Sequence, residues 1–513
     1  MLTLAQTLSR NIRHHGGSTA IIDGTQRLTW RGFGARVERT AGVLAALGIG
    51  RGDRFAIHAL NGPRFEELRW AGFRQGAIPV PVNWRLAPPE IAHILDDSEC
   101  LAVFLDGRFA ASYEAPEIAG RPIRQIALSD TEAAVSLLAY DDLLADAFVP
   151  DPAETEADDD AILYYTGGTT GRAKGVRLSH ANIISNGLAF GLAQGARADD
   201  VFLHTAPMFH SADLLATGWF LTGAAHAYLP AFSPGAFLEA LAATRTTVTV
   251  TVPTMLIMLV TDPGFAGADI SSLRTMIFGA SPMDPEWIRR IAAAFPGTAL
   301  SNSYGLTETA PDLTVFAPGD FRRAIEIDSP EIASVGKPNA LVELRVVADG
   351  AEVPPGAPGE LWARGPSITK GYLNLPELNR EELVDGWLRT GDVARIDANG
   401  YVYLLDRIKD MVITGGENVY SSEVEAALYR HADVHECAVI GVPDERLGEA
   451  LFAVIVPRPD SEHREQSIID HCRQHIAGYK IPRRMAFVEA MPKSAMGKIL
   501  KAELRKTYGA VAS

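Results

Sequence analysis

The stretch Ile162–Val176 reads ILYYTGGTTGRAKGV. Its apolar start suits a buried strand, and the strand is followed by a run of glycines and threonines from Thr166 to Gly171. Glycine lets several backbone N–H groups turn towards one point, and such a nest beside hydroxyls and a cation binds anions. Lys174 provides the cation. We therefore predict a polyphosphate-binding loop, of a kind distinct from the P-loop because Lys174 stands before a glycine and not after one.

A flexible surface loop is the alternative interpretation of this stretch. Three glycines, three threonines and one lysine lie within the nine residues 166–174. This density of phosphate-binding groups favours the anion site over an ordinary loop.

Composition excludes several classes of protein. The chain has 513 residues, which is too long for one core, so we expect at least two domains. The formal net charge is −16, from 47 basic and 63 acidic residues, which argues against nucleic acid as a partner. Three cysteines, Cys100, Cys437 and Cys472, lack the spacing of a zinc site or of a disulfide framework. With no apolar signal core or transmembrane segment in the sequence, we predict a cytoplasmic protein.

The chain up to residue 333 alternates short apolar runs with helical patterns, which is typical of parallel α/β sheets. Strands are predicted at 54–60 and 101–105 around a helix, forming a βαβ unit, and Ser179 is a plausible helix cap. Further strands at 246–253, 275–280 and 299–303 end in small or polar residues. Ligands of open α/β sheets lie beyond the carboxyl ends of the strands, so we expect one cleft there.

From Ser334 the pattern changes to short strands with turns such as Asn399-Gly400, which indicates antiparallel structure. A dense charge cluster follows at 406–410, and a βαββα pattern begins after it. We predict a large N-terminal domain at 1–405 with stacked, mostly parallel α/β sheets and a β-rich subdomain. A hinge at 406–410 and a small, mobile α+β domain at 411–513 complete the expected fold.

Five stretches carry a resemblance to a known family. They are the glycine loop at 166–175, YGLTET at 304–309, TGD at 390–392, DRIKD at 406–410 with GGE at 415–417, and PKSAMGK at 492–498. Their order and spacing resemble the adenylate-forming superfamily of acyl-CoA synthetases, adenylation domains and luciferases, over essentially the whole chain. Two positions depart from the family pattern: Gly167 replaces the usual serine, and Ala173 the usual proline.

The resemblance implies an ATP-dependent acid–thiol ligase of the acyl-CoA synthetase type. A carboxylate attacks the α-phosphate of ATP to give an acyl-adenylate and pyrophosphate, and the thiol of CoA then displaces AMP. Both steps move negative charge among phosphates and oxyanions, so positioned cations and N–H donors supply the catalysis. The implied cofactors are ATP and Mg²⁺, with CoA as co-substrate.

Residue by residue, the resemblance implies the following nucleotide site. The β,γ-phosphates would be bound by Thr166, Gly167, Gly168, Thr169, Thr170, Gly171 and Lys174. Glu308 would bind Mg²⁺, and Thr307 would lie near the α-phosphate. The adenine would be lined by Gly279, Ala280, Ser281, Asn302, Ser303 and Tyr304. Asp392 would accept hydrogen bonds from the ribose hydroxyls, supported by Arg407.

The resemblance also assigns roles in the small domain. Lys498 would be the catalytic lysine that bridges the acyl carboxylate and the α-phosphate. Lys409 would be the hinge about which this domain swings between the two half-reactions. Gly415, Gly416 and Glu417 would line the tunnel for the thiol.

The sequence predicts the identity of the carboxylic acid substrate less precisely than it predicts the nucleotide site. The residues expected around it are His210, Leu214, Leu215, Val252, Met255, Gly279 and Ala310. His210 stands where amino-acid-activating relatives carry an aspartate, and Ser303 where malonate-activating relatives carry an arginine. The otherwise apolar lining favours a fatty, branched or aryl monocarboxylic acid, and His210 has packing as its alternative role.

Two other functions stay open at this point. A stand-alone adenylation enzyme that loads a carrier-protein thiol would use nearly the same residues. A nucleotide-binding regulatory or scaffold protein without catalysis is disfavoured by the presence of Lys498, Glu308 and Asp392 together. A homodimer is compatible with the sequence.

Overall fold

The computed structural model describes residues 2–129, 137–167, 172–444, 446–459, 461, 465–493 and 499–509. The chain divides into two compact units. The first unit contains Met1–Leu344 and Ala363–Leu388, and the second contains Arg345–Trp362 and Arg389–Ser513. The domain boundaries at 405 and 411 stay predictions.

Helices and strands alternate along the chain before residue 343. The helices are α1 (Leu4–His15), α2 (Trp30–Ala46), α3 (Pro63–Gln75), α4 (Pro88–Asp97), α5 (Ala110–Tyr113), α6 (Tyr140–Ala145), α7 (His180–Gln194), α8 (Thr217–Thr222), α9 (Pro234–Thr244), α10 (Pro253–Thr261), α11 (Pro285–Ala294) and α12 (Pro318–Glu326). The strands are β1 (Thr19–Asp23), β2 (Gln26–Thr29), β3 (Arg54–His58), β4 (Ile78–Pro81), β5 (Ala102–Leu105), β6 (Arg124–Ala127), β7 (Leu138–Ala139), β8 (Asp160–Thr166), β9 (Lys174–Ser179), β10 (Val201–His204), β11 (Ala225–Tyr228), β12 (Val248–Thr251), β13 (Thr275–Gly279), β14 (Ala299–Tyr304), β15 (Thr314–Phe316) and β16 (Lys337–Pro338).

From residue 343 onwards strands predominate. They are β17 (Glu343–Ala348), β18 (Ala351–Glu352), β19 (Gly359–Arg364), β20 (Leu383–Val384), β21 (Trp387–Ile396), β22 (Val402–Arg407), β23 (Val412–Thr414), β24 (Glu417–Val419), β25 (Val434–Asp444), β26 (Gly448–Pro457) and β27 (Arg484–Phe487). The helices are α13 (Pro376–Glu382), α14 (Ser421–Tyr429), α15 (Glu465–His475) and α16 (Lys501–Tyr508).

The main sheet of the first unit has nine strands in the order β16-β15-β14-β13-β12-β10-β11-β1-β2. The run from β14 through β13, β12, β10 and β11 to β1 is parallel. Strand β12 is buried at all four residues, as expected for a parallel strand covered on both faces. The carboxyl ends of these neighbours therefore lie along one edge of the sheet, as the sequence predicted.

One strand is shorter than predicted at this edge. The alternating Thr and Val residues predict a strand at 246–253, whereas β12 occupies only Val248–Thr251. Pro253 is the first residue of α10. Proline lacks an N–H and has a helix-compatible φ, so it favours the first helical position over a ladder position.

A second sheet of the first unit has the order β4-β3-β5-β6-β7 and is parallel throughout. Helix α3 connects β3 to β4, whereas the second strand of the predicted βαβ unit, at 101–105, is β5. Both β4 and β5 pair parallel with β3, so the two predicted strands are parallel neighbours, but β4 and α4 lie between them along the chain. Strands β8 and β9 form a separate antiparallel hairpin. Ser179 ends this hairpin and caps α7, because its hydroxyl accepts a hydrogen bond from the Asn182 N–H at 3.1 Å. Among the described residues, no helix is long and apolar enough to cross a membrane.

The second unit is rich in antiparallel strands. Strands β21 and β22 pair antiparallel, and Gly400 in the turn between them has a φ of +83°, in the left-handed region that favours glycine. Its last part contains the sheet β24-β23-β26-β25, with β27 paired to β26. Helices α14, α15 and α16 alternate with these strands, which confirms the predicted change of pattern after residue 410.

Candidate active site

The edge of the main sheet brings two predicted adenine-lining segments together. Gly279 ends β13 directly beside Ser303 on β14. A Cβ on Gly279 would lie 2.3 Å from the Ser303 carbonyl oxygen, so only glycine fits at this point. The next residue, Ala280, has a φ of +67°. A left-handed alanine is a strained conformation of the kind that concentrates at binding sites.

Ser303 is held by a buried carboxylate that the sequence analysis did not identify. Its hydroxyl donates to Asp312 Oδ1 at 2.6 Å, and the Asn339 amide donates to Asp312 Oδ2 at 3.0 Å. Burial raises the pKa of Asp312 to about 7. Asn302 and Tyr304, the neighbours of Ser303, are also buried. The Ser303 side chain is thus oriented by an ionisable group at the sheet edge.

The YGLTET stretch forms a short turn next to this edge. Thr307–Thr309 is one turn of 3₁₀-helix, followed by Ala310 with a φ of +61°. The Thr307 and Ser211 hydroxyls lie 2.8 Å apart. The Glu308 carbonyl accepts a hydrogen bond from the Thr369 N–H at 2.7 Å, which fixes the backbone beneath the Glu308 carboxylate.

Lys174 begins β9 opposite Thr166, the last residue of β8. The hairpin therefore holds both ends of the glycine loop, whose predicted residues Gly168, Thr169, Thr170 and Gly171 lie outside the described residues. The Lys174 ammonium is 3.7 Å from Glu382 Oε1 and 5.1 Å from the centre of the Tyr372 ring. Neither Tyr372 nor Glu382 was predicted to belong to the site.

Tyr372 connects the loop lysine to the predicted magnesium ligand. Its hydroxyl lies 2.9 Å from Glu308 Oε1 and 2.5 Å from Glu382 Oε2. Burial, together with the two neighbouring carboxylates, raises the pKa of Tyr372, so the phenol keeps its proton. Tyr372 pairs with Val176 of β9, and Asn379 binds its backbone N–H and C=O at 2.7 and 2.9 Å.

No periodic pattern in the sequence marks this tyrosine as part of the site. It lies 64 residues from Glu308 in sequence, and only the pairing of its segment with β9 brings it to Lys174. The sole sequence signal is the position of Gly371-Tyr372 shortly before the TGD stretch.

The predicted acyl-pocket residues follow the carboxyl ends of four neighbouring parallel strands: β10, β12, β13 and β14. Beyond β10, the ring of His210 accepts a hydrogen bond from the Ala212 N–H at 3.2 Å through Nδ1. Burial lowers the pKa of His210 to about 4, so this histidine is neutral at neutral pH. A neutral ring in this place suits a pocket for an uncharged group.

The apolar members of the predicted pocket differ in exposure. Leu214 and Leu215 are buried and also pack in hydrophobic clusters of the core. Val252, just before α10, is buried, while Met255 on α10 is half-buried. Met255 is therefore the member of this set with most freedom to face a ligand.

The second unit holds the remaining predicted residues. Asp392 on β21 is buried, and its Oδ1 lies 2.5 Å from Arg407 Nε on β22. These two predicted ribose-binding residues are thus one ion pair. Burial lowers the pKa of Lys409, two residues further on. Lys498 lies outside the described residues.

The predicted thiol-tunnel residues form the turn between β23 and β24. Gly415 and Gly416 have φ angles of +62° and +88°, and Glu417 is exposed. A Cβ on Gly416 would meet no atom within 4 Å. Glycine is therefore required at this turn by backbone conformation and not by crowding within the described structure.

Comparison with known proteins identifies the family. Residues 8–373 match the AMP-binding enzyme family, and residues 423–498 match the AMP-binding enzyme C-terminal domain. A feruloyl-CoA synthase from Amycolatopsis is 37% identical over 503 residues, which cover 98% of each chain. A fatty acid–[acyl-carrier-protein] ligase from Streptomyces coeruleorubidus is 33% identical over 518 residues, covering 99% of this chain and 96% of the relative.

A solved structure has a similar fold over the full length of both chains. ATP-bound MatB from Rhodopseudomonas palustris is 30% identical, with a TM-score of 0.88 and complete coverage of both chains. The chain belongs to the adenylate-forming superfamily of AMP-binding enzymes. Within it, the chain is a member of the AMP-forming acid–CoA ligases.

Proposed function

We propose that this enzyme activates a fatty, branched or aryl monocarboxylic acid with ATP and transfers it to CoA. The observation that carries the proposal is the convergence of Lys174, Tyr372 and Glu308 beside the edge residues of the main sheet. Lys174 lies over the Tyr372 ring, and the Tyr372 hydroxyl contacts Glu308, so a cation and a carboxylate flank one side chain, an arrangement that suits a metal-bound polyphosphate. The reaction gives an acyl-adenylate and pyrophosphate, and then acyl-CoA and AMP.

Residues of this chain would bind and orient the nucleotide. The backbone of Thr166–Gly171 and Lys174 would bind the β,γ-phosphates, while Gly279–Ser281 and Asn302–Tyr304 would accept the flat adenine. Asp392 would bind the ribose hydroxyls, and its ion pair with Arg407 would orient the carboxylate for that purpose. Lys498 would bring a cation to the developing charge on the α-phosphate.

The Glu308 carboxylate fits Mg²⁺, because it is a half-buried, hard oxygen ligand with an oxygen already oriented by Tyr372. Bound there with the phosphates, the ion would neutralise negative charge on the nucleotide. Thr307 would lie near the α-phosphate. Lys409 would be the hinge between the half-reactions, and Gly415, Gly416 and Glu417 would border the thiol path.

The side chains near the acid support a monocarboxylate. Ser303 offers a hydroxyl already donated to Asp312, and no arginine stands at that position to pair with a second carboxylate. The neutral His210 and the apolar Val252 and Met255 favour an uncharged acyl group. The feruloyl-CoA synthase relative supports an aryl acid. A fatty acid substrate would place the enzyme in fatty acid metabolism.

A carrier-protein thiol is the second candidate acceptor, favoured by the relative that is a fatty acid–[acyl-carrier-protein] ligase. The active residues would be nearly unchanged. Kinetics with free CoA against a phosphopantetheinylated carrier protein distinguish the two. Saturation by micromolar-to-millimolar CoA supports the first candidate.

The test is a panel of short, medium and long aliphatic acids, branched acids, benzoates and cinnamates, with amino acids and dicarboxylates included for comparison. Each is incubated with ATP, Mg²⁺ and CoA, and pyrophosphate and acyl-CoA are measured. We expect both products in equal amounts for one class of monocarboxylic acid. Activity confined to amino acids or dicarboxylates would contradict the proposed substrate class.

A further inference from the structure

Asp312 is a fully buried carboxylate whose hydrogen-bond partners are all uncharged. Its Oδ1 accepts a hydrogen bond from the hydroxyl of Ser303 on β14 at 2.6 Å, and its Oδ2 accepts one from the Asn339 amide at 3.0 Å. The Asp312 backbone carbonyl accepts a hydrogen bond from the amide of Asn186 on α7 at 2.8 Å. Within the part of the chain that the structure describes, no charged side chain contacts this carboxylate.

The orientation of Asn339 decides which oxygen of Asp312 can carry a proton. Asn339 Oδ1 accepts a hydrogen bond from the Leu341 N–H at 3.1 Å, so the amide nitrogen is the end that faces Asp312. Oδ2 of Asp312 therefore always meets an N–H donor. A proton on Asp312 is accordingly carried by Oδ1, the oxygen that faces the Ser303 hydroxyl.

The Ser303 hydroxyl takes a different role beside each charge state of Asp312. A hydroxyl has one hydrogen and two lone pairs. Beside an ionised Asp312, which can only accept, Ser303 gives its hydrogen to Oδ1 and offers a ligand only lone pairs. Beside a neutral Asp312, the Oδ1–H donates to Ser303 Oγ, and the Ser303 hydrogen becomes available to an acceptor on a ligand.

Asp312 changes its charge close to neutral pH. Burial raises the pKa of Asp312 to about 7, although the hydrogen bonds from Ser303 and Asn339 favour the ionised form. The neutral carboxyl group therefore predominates in acid, and the ionised group predominates in alkali. Both roles of the Ser303 hydroxyl are thus accessible within the pH range in which enzymes are commonly assayed.

We propose that Asp312 is a positioning residue that sets, through Ser303, whether the adenine site accepts or donates a hydrogen bond at this point. With Asp312 ionised, Ser303 suits a purine 6-amino group, which donates. With Asp312 neutral, Ser303 suits a 6-oxo group, which accepts, so the selectivity for ATP over inosine triphosphate (ITP) rises with pH. This inference rests on the proposed function, which places Ser303 and its neighbour Gly279 beside the adenine.

The test measures kcat/KM for ATP and for ITP by pyrophosphate release, with the best acid of the panel, between about pH 6 and about pH 8. The readout is the ratio of the two values. Titration of the triphosphate is common to both nucleotides and cancels in this ratio. In the wild type we expect the ratio to rise roughly threefold or more across the range, the effect of one hydrogen bond.

Asp312→Asn keeps the shape of the side chain and should fix the state that the wild type has in acid. Its carbonyl oxygen can accept the Asn339 N–H, so that its NH₂ group donates to Ser303 as the Oδ1–H of neutral Asp312 does. We expect a low ratio that does not change with pH. Asp320→Asn is the matched control, because Asp320 is exposed on α12 and loses the same charge. Its ratio should follow that of the wild type.

A constant ratio in the wild type, or one that still rises in Asp312→Asn, would overturn the inference. Ser303→Ala is the second variant and serves also if Asp312→Asn does not fold. Because it lacks the hydroxyl, its ratio should not depend on pH, and a rise equal to that of the wild type would refute the role of Ser303. If the wild type releases pyrophosphate with no acid of the panel at any pH, the proposed function fails as well. Pyrophosphate release with a ratio that contradicts these expectations would refute only the role of Asp312.

Discussion

Two charged clusters of the first unit each combine one cation with two carboxylates. In the Arg69 cluster, the guanidinium lies 2.7 Å from both Glu66 and Asp213, and all three side chains are buried. In the Lys174 cluster, the ammonium lies 3.7 Å from Glu382 and reaches Glu308 only through Tyr372. Lys174 and Glu382 also keep 17% and 30% of their side-chain exposure. The first cluster is saturated with hydrogen bonds, whereas the second has donors left for a ligand.

The saturation of the Arg69 cluster also decides against a metal there. One ligand atom each from Glu66, His204 and Asp213 lies within 4.8 Å of the others, a spacing that could hold an ion. The Arg69 guanidinium, however, already bonds oxygens of both carboxylates, and His204 Nδ1 lies 2.5 Å from Asp213. A buried charge network that satisfies itself is structural, whereas the partly exposed Lys174 ammonium lies beyond hydrogen-bond distance of Glu382 and keeps donors for a ligand.

The largest expected effect is the loss of stability when the cation of the Arg69 cluster is removed. Arg69→Met leaves two buried carboxylates without their cation, which costs about 3–5 kcal/mol of stability. We expect the Tm to fall by on the order of 10 °C in thermal unfolding. Arg289→Met is the control, since Arg289 pairs with Asp328 at the surface and should change the Tm little. Equal shifts for the two variants would show that the Arg69 cluster is not structural.

Removing the cation of the Lys174 cluster should instead lower the rate of the reaction. Lys174→Met removes a cation aimed at phosphate charge, and ATP–pyrophosphate exchange should fall roughly 10²-fold, with little change in Tm. Lys370→Met is the control, because Lys370 pairs with Asp158 and Asp160 away from this cluster. Exchange at the wild-type rate in Lys174→Met would refute the phosphate role of the loop lysine.

A smaller effect is expected when the Glu308 carboxylate of the Lys174 cluster loses its charge. Glu308→Gln keeps the shape and removes the charge, so adenylation should fall at least tenfold, about 1.4 kcal/mol in the barrier. Adenylation is measured as pyrophosphate release at saturating ATP and Mg²⁺. Glu377→Gln, on α13 and exposed, should leave the rate unchanged. A fully active Glu308→Gln enzyme would mean that Mg²⁺ is bound elsewhere.

The smallest expected effect concerns the apolar pocket, which lies outside both charged clusters. Met255→Trp adds bulk at a flexible, half-buried position and should lower kcat/KM for long acids more than for short ones. Met258→Trp, three residues further along α10, is the control because Met258 is 46% exposed. The same loss for every acid would indicate that Met255 packs in the core and does not limit acyl size.

Much of the fold was predictable because it depends on local patterns. Apolar runs of five to seven residues around β3, β5 and β13 predicted parallel strands, and Ser179 predicted the start of α7. The five ordered stretches predicted the family that the comparisons confirmed. The roles of the individual site residues stay predictions, and those of Lys498 and of Gly168–Gly171 concern positions outside the described residues.

The sequence by itself determined the element types, the family and the residues that carry motifs, because periodicity, glycine placement and motif spacing are local properties. Only the tertiary structure decided which charges meet. Arg69 pairs with Asp213 across 144 positions, and Tyr372 meets Glu308 across 64. Such pairs depend on which segments lie side by side, such as β9 against the Tyr372 segment. Because that pairing leaves no periodic trace in the chain, Tyr372 and Glu382 entered the site only with the fold. Asp312 lies only nine positions from Ser303, but the antiparallel pairing of β14 with β15 is what brings the two side chains together.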